Sequence, residues 1–363
     1  MNHRVFWFSF LILWAVNTPV YSIEVSGLYS ASVKVKTQNV RERRIASQDA
    51  LAEVFIRASG HAAAVSNDDI KLILSKADQF IISYAYQAIE HTDEEAPVDL
   101  NEDNKFLLLL DFDSVQVNKS LRAANLPVWG SNRPQLLVWW AIEDKKRRRL
   151  VNSDNDTTSL LITENHAKKR GIPLSWPLLD LADKKLMSTS DIWNLSLDKV
   201  MPASERYGSQ AVIMGRARVS SSGRWFGSWV LLINGQQFWL DGDGSDLNSV
   251  MQQAMNFSAD VLAEQYAVTQ SSDNSGGIIL KITGVDTLSD YAELNNYLVG
   301  LSSVLQLTLK AVDQKNIWYS LTLESNMANF EQVVRLDKRL QKRTNENGFE
   351  IDESRLEYRW TGL

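Results

Sequence analysis

Apolar and polar residues alternate along the chain from Val25 to Lys36, a pattern that predicts a strand with one buried face. Apolar residues three and four apart then predict a helix from about residue 39 to Gly60, a glycine placed to end it. Alternation returns over residues 80–88 and 106–112, which we expect to pair as a hairpin. A helix capped by Ser114 completes an N-terminal unit with the order β-α-β-β-α.

The most hydrophobic short run after the N-terminal segment is LLVWWAI at residues 136–142, where the apolar residues are continuous. This run is far shorter than the about 20 apolar residues that a membrane-spanning helix needs, and Val and Trp favour strands. We expect a strand buried on both faces, with Trp139 and Trp140 in the core. Further strands over residues 210–241 and a helix over 246–267 predict a mixed-sheet, α/β-like middle domain.

The last third of the chain has the clearest pattern. It follows a segment rich in Ser, Gly and Asn at residues 269–277, which predicts a linker. From Ile278 onward the pattern strand, helix, strand, strand, helix, strand predicts a ferredoxin-like β-α-β-β-α-β domain, with its second helix over Met327 to Leu340. The complete chain is therefore predicted to be an α+β protein with domains at residues 23–126, 127–268 and 278–363.

The N-terminal segment, residues 1–22, has a basic residue at Arg4, an apolar run from Val5 to Val16, and the residues Val20 and Ser22 near its end. This three-part pattern predicts a secretory signal peptide, with a retained membrane anchor as the alternative. The chain contains no cysteine, so we expect no disulfide even in an oxidising compartment. These features predict a soluble periplasmic protein with no transmembrane segment after signal removal.

Charge gives a second set of expectations. The formal net charge is −6, which argues against a nucleic-acid-binding protein with a strongly basic face. Residues 90–103 are rich in acidic side chains and predict a solvated loop. Five consecutive cations at residues 145–149 predict a basic surface turn or a patch for anionic lipid or an acidic partner.

Large aromatic residues provide the remaining candidates for a binding surface. Trp318 lies on the polar face of the predicted C-terminal sheet, where a ligand or interface role competes with packing on the middle domain. The candidate partner or ligand surface therefore comprises Trp129, Arg133, Arg147, Arg148, Arg149 and Trp318.

Metal-binding patterns are weak in this sequence. The histidines after the leader lack a second His or a Cys at ligand spacing, so neither a metal nor another cofactor is predicted. The run DGDGSD at residues 241–246 resembles the start of a calcium loop, but Gln252 stands where a bidentate Glu is needed. A polar turn that caps the next helix is the better interpretation.

Carboxylates that could act as general acid and base occur beside predicted strands. Asp111 and Asp113 end one strand, and Asp180 and Asp183 follow another. Polarity at strand ends and helix starts explains these acids without catalysis, and nothing in the sequence brings the two pairs together. We therefore predict no catalytic residues, and these acids support a hydrolase only as a third alternative.

Several segments carry a family resemblance. The helix RERRIASQDALAEVFIRASG, the LPVWG…RP…LVW segment, GIPLSWPLLDLAD and ERYGSQAVIMGRARV are together similar to the bacterial domain of unknown function 2066 family. That resemblance implies an envelope protein of gammaproteobacteria and brings no established activity or catalytic residues.

The function expected from these observations is that of a non-enzymatic accessory protein that binds another envelope protein. The first alternative is a protein that binds cell-wall glycan or anionic lipid through Trp129, Arg133 and the cations at 145–149.

Overall fold

The structure is a computed structural model and describes residues 25–89, 104–144, 147–154, 156–269, 278–313, 316–336, 338–343 and 355–362. The predicted signal peptide, the acidic loop and nearly all of the predicted linker lie outside the described residues, as do Lys145 and Lys146. The α+β fold class is confirmed, because the described residues form helices and three separate sheets.

The N-terminal sheet has the strand order β1-β3-β2 and is fully antiparallel. Helix α1 packs on it and ends at Gly60, whose φ of 77° is the left-handed conformation that glycine adopts without strain. Asp113, one residue before the predicted cap, is the residue that caps α3. The elements are β1 (Ser30–Val35), α1 (Val40–Ser59), α2 (Asp68–Leu74), β2 (Ile81–Ala88), β3 (Phe106–Phe112) and α3 (Ser114–Ala123).

The middle unit is built on a six-stranded mixed sheet with the order β5-β4-β7-β8-β9, in which β6 also pairs with β4. Its first elements are β4 (Leu136–Asp144), β5 (Arg147–Leu150), α4 (Thr157–Arg170), β6 (Leu174–Ser175), α5 (Leu181–Leu186), α6 (Thr189–Trp193) and α7 (Leu197–Ser204). They are followed by β7 (Ala211–Val219), β8 (Trp225–Ile233), β9 (Gln236–Gly244) and α8 (Leu247–Tyr266).

Strand β4 is buried on both faces, as its continuous apolar run predicted. Trp140 belongs to the core on the face covered by α4 and α8, and Trp139 belongs to the core on the opposite face, with α6 and α7. Both tryptophans are therefore core residues. Arg147 to Arg149 of the basic run belong to β5, which pairs antiparallel with the end of β4. The surface turn expected for this run stays a prediction, since Lys145 and Lys146 lie outside the described residues.

Trp229 of β8 packs against three glycines, one on its own strand and one on each neighbouring strand. A Cβ atom added to Gly215 of β7 or to Gly227 of β8 would overlap with its indole, and one added to Gly242 of β9 would lie 3.2 Å from it. The absence of side chains at these positions lets the ring lie against the sheet beneath α8.

The C-terminal unit contains one strand more than the expected β-α-β-β-α-β order. Helix α10 ends at Val334 instead of Leu340, because Leu340 is buried in a short strand that pairs with Trp360. The last strand therefore lies parallel to the first, and the sheet order is β11-β12-β10-β14-β13. The elements are β10 (Ile278–Thr283), α9 (Leu288–Gly300), β11 (Val304–Val312), β12 (Asn316–Leu323), α10 (Met327–Val334), β13 (Leu340–Lys342) and β14 (Arg355–Trp360).

Arg133 lies where the N-terminal and middle units meet, and it is completely buried. Its Nε donates to the carbonyl of Gly130, while its two terminal nitrogens donate to four further carbonyls, those of Arg57, Trp129, Arg170 and Gly171. The guanidinium also stacks 4.0 Å from the centre of the Trp129 ring. Burial lowers the pKa of Arg133 to about 9, so the side chain is still charged at neutral pH.

Val128 and Val268 flank the middle unit and form an isolated antiparallel bridge. The Val128 N–H donates to the Val268 carbonyl at 2.8 Å, and the Val268 N–H donates back at 2.9 Å. The two points where the chain enters and leaves the middle unit are therefore side by side. None of the described helices is long and apolar enough to cross a membrane.

Candidate functional site

The face of the middle sheet that carries Trp139 is only partly covered by helices. Helices α6 and α7 pack over its apolar part, whereas the ends of β4 and β7 carry polar residues that border an open cleft of about 590 Å³. Strands β4 and β7 are parallel, so their carboxyl ends lie side by side at this cleft. Ligand sites of sheets with parallel strands occur at such ends.

Strand register places charged side chains in two rows across this cleft, since directly paired residues share a face. The outer row contains Arg148, Glu143, Arg218, Phe226 and Asp243. The inner row contains Ala141, Arg216, Ser228 and Asp241. Guanidinium groups lie on β5 and β7, and the two aspartates lie on β9.

Three of these charges are already paired. Arg148 Nε contacts Glu143 Oε2 at 2.7 Å, and Arg224 in the β7–β8 turn binds the carboxylate of Asp243. In the described part of the chain, Arg216, Arg218 and Asp241 have no ion-pair partner. The cleft therefore has two unpaired cations on one side and an unpaired carboxylate on the other.

Trp193 of α6 forms one wall of the cleft and orients its arginines. A terminal nitrogen of Arg216 donates to the Trp193 carbonyl at 2.7 Å, which leaves its other N–H groups available. The Arg148 guanidinium lies 4.2 Å from the Trp193 ring centre. Arg218 lies 5.3 Å from the centre of the Phe226 ring. Aromatic contacts and one backbone bond thus hold the cations at the cleft.

Strand β9 forms the edge of the sheet beside the cleft. Asn234 and Gly235 both have positive φ, which identifies a two-residue type I′ hairpin between β8 and β9. The residues that flank such a turn form a hydrogen-bonded pair, and bonded and non-bonded pairs then alternate along the ladder. The backbone groups of Gln237, Trp239, Asp241 and Asp243 therefore point away from β8. The Gln253 side chain, which donates to the Asp243 carbonyl at 2.8 Å, agrees with this alternation.

The edge of β9 differs from the other sheet edges. Its register with β8 is unbroken over all nine residues, and it contains no Pro or Lys. The other edges have features that obstruct strand pairing: register shifts in β2 and β11, Lys34 in β1, three arginines in β5 and a length of three residues in β13. Trp239, at the middle of β9, is 55% exposed.

The residues predicted to form a binding surface separate into buried and exposed groups. Trp129 and Arg133 are buried at the junction between the N-terminal and middle units, so neither is available to a partner or ligand, and that prediction is wrong. Arg148 lines the cleft. Arg147 is exposed on β5 and Arg149 pairs with Asp156 at 2.7 Å.

Trp318 is half-buried on the face of the C-terminal sheet that the helices leave open. Its neighbour across the ladder is Lys281, which pairs with Glu357 at 3.3 Å. A binding role for Trp318 stays a prediction.

The acidic residues considered for catalysis have other partners. Asp111 accepts hydrogen bonds from Ser30 and Ser83, each at 2.7 Å, and these hydrogen bonds lower the pKa of its carboxyl. Asp113 and Asp180 cap the starts of α3 and α5. Arg206 holds the pKa of Asp180 at about 2. None of these three lines the cleft.

The DGDGSD run is divided between two elements. Asp241 and Asp243 belong to β9, whereas Asp246 caps α8 and accepts a hydrogen bond from the Ser249 backbone, as the interpretation as a polar turn expected. Among the described residues, no group of three or more His, Cys, Asp or Glu side chains could hold a metal ion.

Sequence reasoning missed Trp193, Arg216, Arg218, Asp241 and Trp239 as members of one surface. The alternating charges of Arg216 and Arg218, and of Asp241 and Asp243, were visible. Only the strand register shows that they face each other across β8.

Comparison with known proteins gives a family match but no activity. Residues 22–130 match the model of a domain of unknown function, DUF8605. The match overturns the predicted membership of the domain of unknown function 2066 family, and it ends inside the LPVWG…LVW segment on which that prediction depended. No curated protein matches the chain.

Two solved structures match parts of this chain at low sequence identity. An uncharacterized protein is 12% identical, covers 36% of this chain and 90% of its own, and has a TM-score of 0.19. A competence-damaged protein (CinA) superfamily protein from Escherichia coli is 12% identical, covers 41% of this chain and 86% of its own, and has a TM-score of 0.22. TM-scores this low carry no argument about fold or function.

Proposed function

We propose that this chain is an exported, non-enzymatic binding protein that takes up an extended segment of another envelope protein as an additional strand along β9. The observation that carries the proposal is the backbone of that edge. Outward-pointing N–H and C=O groups at Gln237, Trp239 and Asp241 have no backbone partner among the described residues. Strand addition would satisfy these groups with main-chain hydrogen bonds.

Trp239 supplies the side-chain part of this recognition. It lies on the cleft face at the centre of β9, and its exposed ring would pack against a large apolar residue on the added strand. Main-chain bonds would give affinity, and contact with this ring would select the segment that binds.

The cellular location is part of the same proposal. The signal-like pattern of residues 1–22 and the absence of cysteine support a periplasmic protein whose partner lies in the cell envelope. Trp129 and Arg133 are buried, so a site for glycan or anionic lipid would retain only part of the basic run.

Replacing Trp239 with proline should weaken partner binding about tenfold more than replacing it with alanine. The N–H of residue 239 points outward, so proline would block an added strand without removing a hydrogen bond from the β8–β9 ladder. Alanine keeps the N–H and removes only the ring. In-cell photo-crosslinking from position 237, followed by mass spectrometry, identifies the partner, and titration of that purified partner measures both affinities.

Ser222, in the exposed β7–β8 turn, is the matched control position for the crosslinker. Strand addition predicts one dominant protein adduct at position 237 and none of that protein at 222. Equal affinities of the proline and alanine variants would contradict the proposal, as would an adduct that consists only of two copies of this chain.

A further inference from the structure

Unpaired charges of opposite sign lie on different strands of the cleft, with Arg216 and Arg218 on β7 and Asp241 on β9. Arg216, Ser228 and Asp241 lie opposite one another on three neighbouring strands. Two inter-strand spacings put the backbones of Arg216 and Asp241 about 10 Å apart. Arg218 lies two residues further along the same strand as Arg216 and on the same face.

We propose that this cleft binds a short zwitterionic peptide, with its free carboxylate against Arg216 and Arg218 and its free amino group against Asp241. Arginine guanidinium groups match a carboxylate geometrically and electrostatically, and a carboxylate is the natural acceptor for an ammonium group. This site lies on the face of the sheet, so it does not depend on strand addition at the edge of β9.

The arrangement of charge selects against simpler ligands. A polyanion attracted by the arginines would meet Glu143, Asp241 and Asp243 in the same cleft. A polycation attracted by those carboxylates would meet the arginines. Only a ligand with opposite charges at its two ends satisfies both sides of the cleft.

The length of the ligand is inferred from the spacing of the strands. The backbones of Arg216 and Asp241 are about 10 Å apart, and an extended chain advances at most about 3.3–3.6 Å per residue, so two or three residues span a comparable distance. The two charges of a free amino acid are too close together. Phe226 and Trp193 border the cleft, and their rings can contact the side chains of the bound peptide.

Part of the site is already held in place without ligand. The bond from Arg216 to the Trp193 carbonyl fixes one side of that guanidinium, and Trp193 itself is buried. A cation that is fixed beforehand loses less side-chain freedom on binding, which favours affinity.

Calorimetric titration with three peptides tests the proposal. Trialanine carries both charges, N-acetyl-trialanine lacks the ammonium group, and trialanine amide lacks the carboxylate. We expect wild-type protein to bind trialanine about tenfold more tightly than either derivative.

Two variants assign the ends of the peptide. In Asp241→Asn, trialanine and its acetylated form should bind with equal affinity, while the amide still binds more weakly. In Arg218→Gln the preference for a free carboxylate should fall from about tenfold to about threefold, because Arg216 remains, while the preference for a free amino group is retained. Arg41→Gln, which changes an exposed arginine of α1 outside the cleft, should match wild type in all three titrations.

The proposal is overturned if wild-type protein does not bind trialanine, or if both derivatives bind as tightly as trialanine does. It is also overturned if Asp241→Asn and Arg218→Gln lose affinity without the matching loss of discrimination. The Trp239→Pro variant separates this proposal from strand addition, because it should bind trialanine as wild type does even when partner binding is lost.

Discussion

Replacing Arg133 with methionine is expected to lower the free energy of unfolding by about 4–5 kcal/mol, near the upper limit for a single substitution. Methionine can fill part of the space but donates no hydrogen bond. Four buried carbonyl groups and one partly buried carbonyl group would lose a donor, and each unsatisfied buried acceptor costs about 1–3 kcal/mol. Urea denaturation followed by intrinsic tryptophan fluorescence measures the loss.

Burying a guanidinium has its own desolvation cost, which raises the opposite possibility that an apolar residue stabilises the protein. Apolar replacement is neutral or stabilising when both partners of a buried pair are replaced. The partners of Arg133 are backbone carbonyls, which no side-chain substitution removes. These carbonyls would be left without a donor, so we expect Arg133→Met to lower the free energy of unfolding.

Two controls accompany this prediction. Arg147→Met changes an exposed arginine and should leave the free energy of unfolding within about 0.5 kcal/mol of wild type. Arg133→Lys restores the charge and up to three donors, so its stability should fall between those of wild type and Arg133→Met. Unfolding of Arg133→Met at the wild-type urea concentration would show that the junction does not depend on this side chain.

Replacing Trp229 with alanine is expected to destabilise the protein by about 3–5 kcal/mol, and Gly215→Ala alone by about 1–3 kcal/mol. The first substitution leaves a cavity beneath α8. The second places a methyl group where the indole lies, so that the ring must move. The midpoint and slope of urea denaturation report both effects.

The two substitutions should not add, because the methyl group on residue 215 overlaps only with the ring that the first substitution removes. We expect the double variant to be no less stable than Trp229→Ala, because the methyl group fills part of the cavity. Gly300→Ala, at a position with open space around the added atom, is the control. Full additivity in this double-mutant cycle would contradict the packing described for Trp229.

Much of the architecture was predictable because it follows from periodicity. The continuous apolar run at residues 136–142 predicted a strand covered on both faces, and the capping residues Asp246 and Gly60 marked a helix start and a helix end. In each case the determining interaction is local or depends on one face of one element.

Contacts between distant segments were not predictable in this way. Arg133 carries the same charge as a surface arginine, and its burial depends on carbonyl groups of residues 57, 170 and 171 that only the fold assembles. The helix expected to reach Leu340 ends earlier because that leucine pairs with Trp360, which lies 20 residues further along the sequence.

The candidate site was missed for the same reason. Arg216 and Asp241 are 25 positions apart in sequence and meet through two strand pairings, whose register no single segment determines. Backbone groups that point outward and inward alternate along β9. Which residues point outward depends on the two-residue turn at Asn234 and Gly235. A one-residue change in that turn would exchange the outward and inward groups.

The bridge between Val128 and Val268 has a mechanical consequence. If the protein were pulled between its N-terminal and C-terminal units, the load would be shared by the two hydrogen bonds of that bridge and the Arg122–Glu324 ion pair, which joins the two units directly. The 139 residues between the two valines would extend only after these contacts broke. Force spectroscopy should therefore show the middle unit extending only after an initial rupture at its base, which would protect the cleft and the β9 edge while the molecule is under tension.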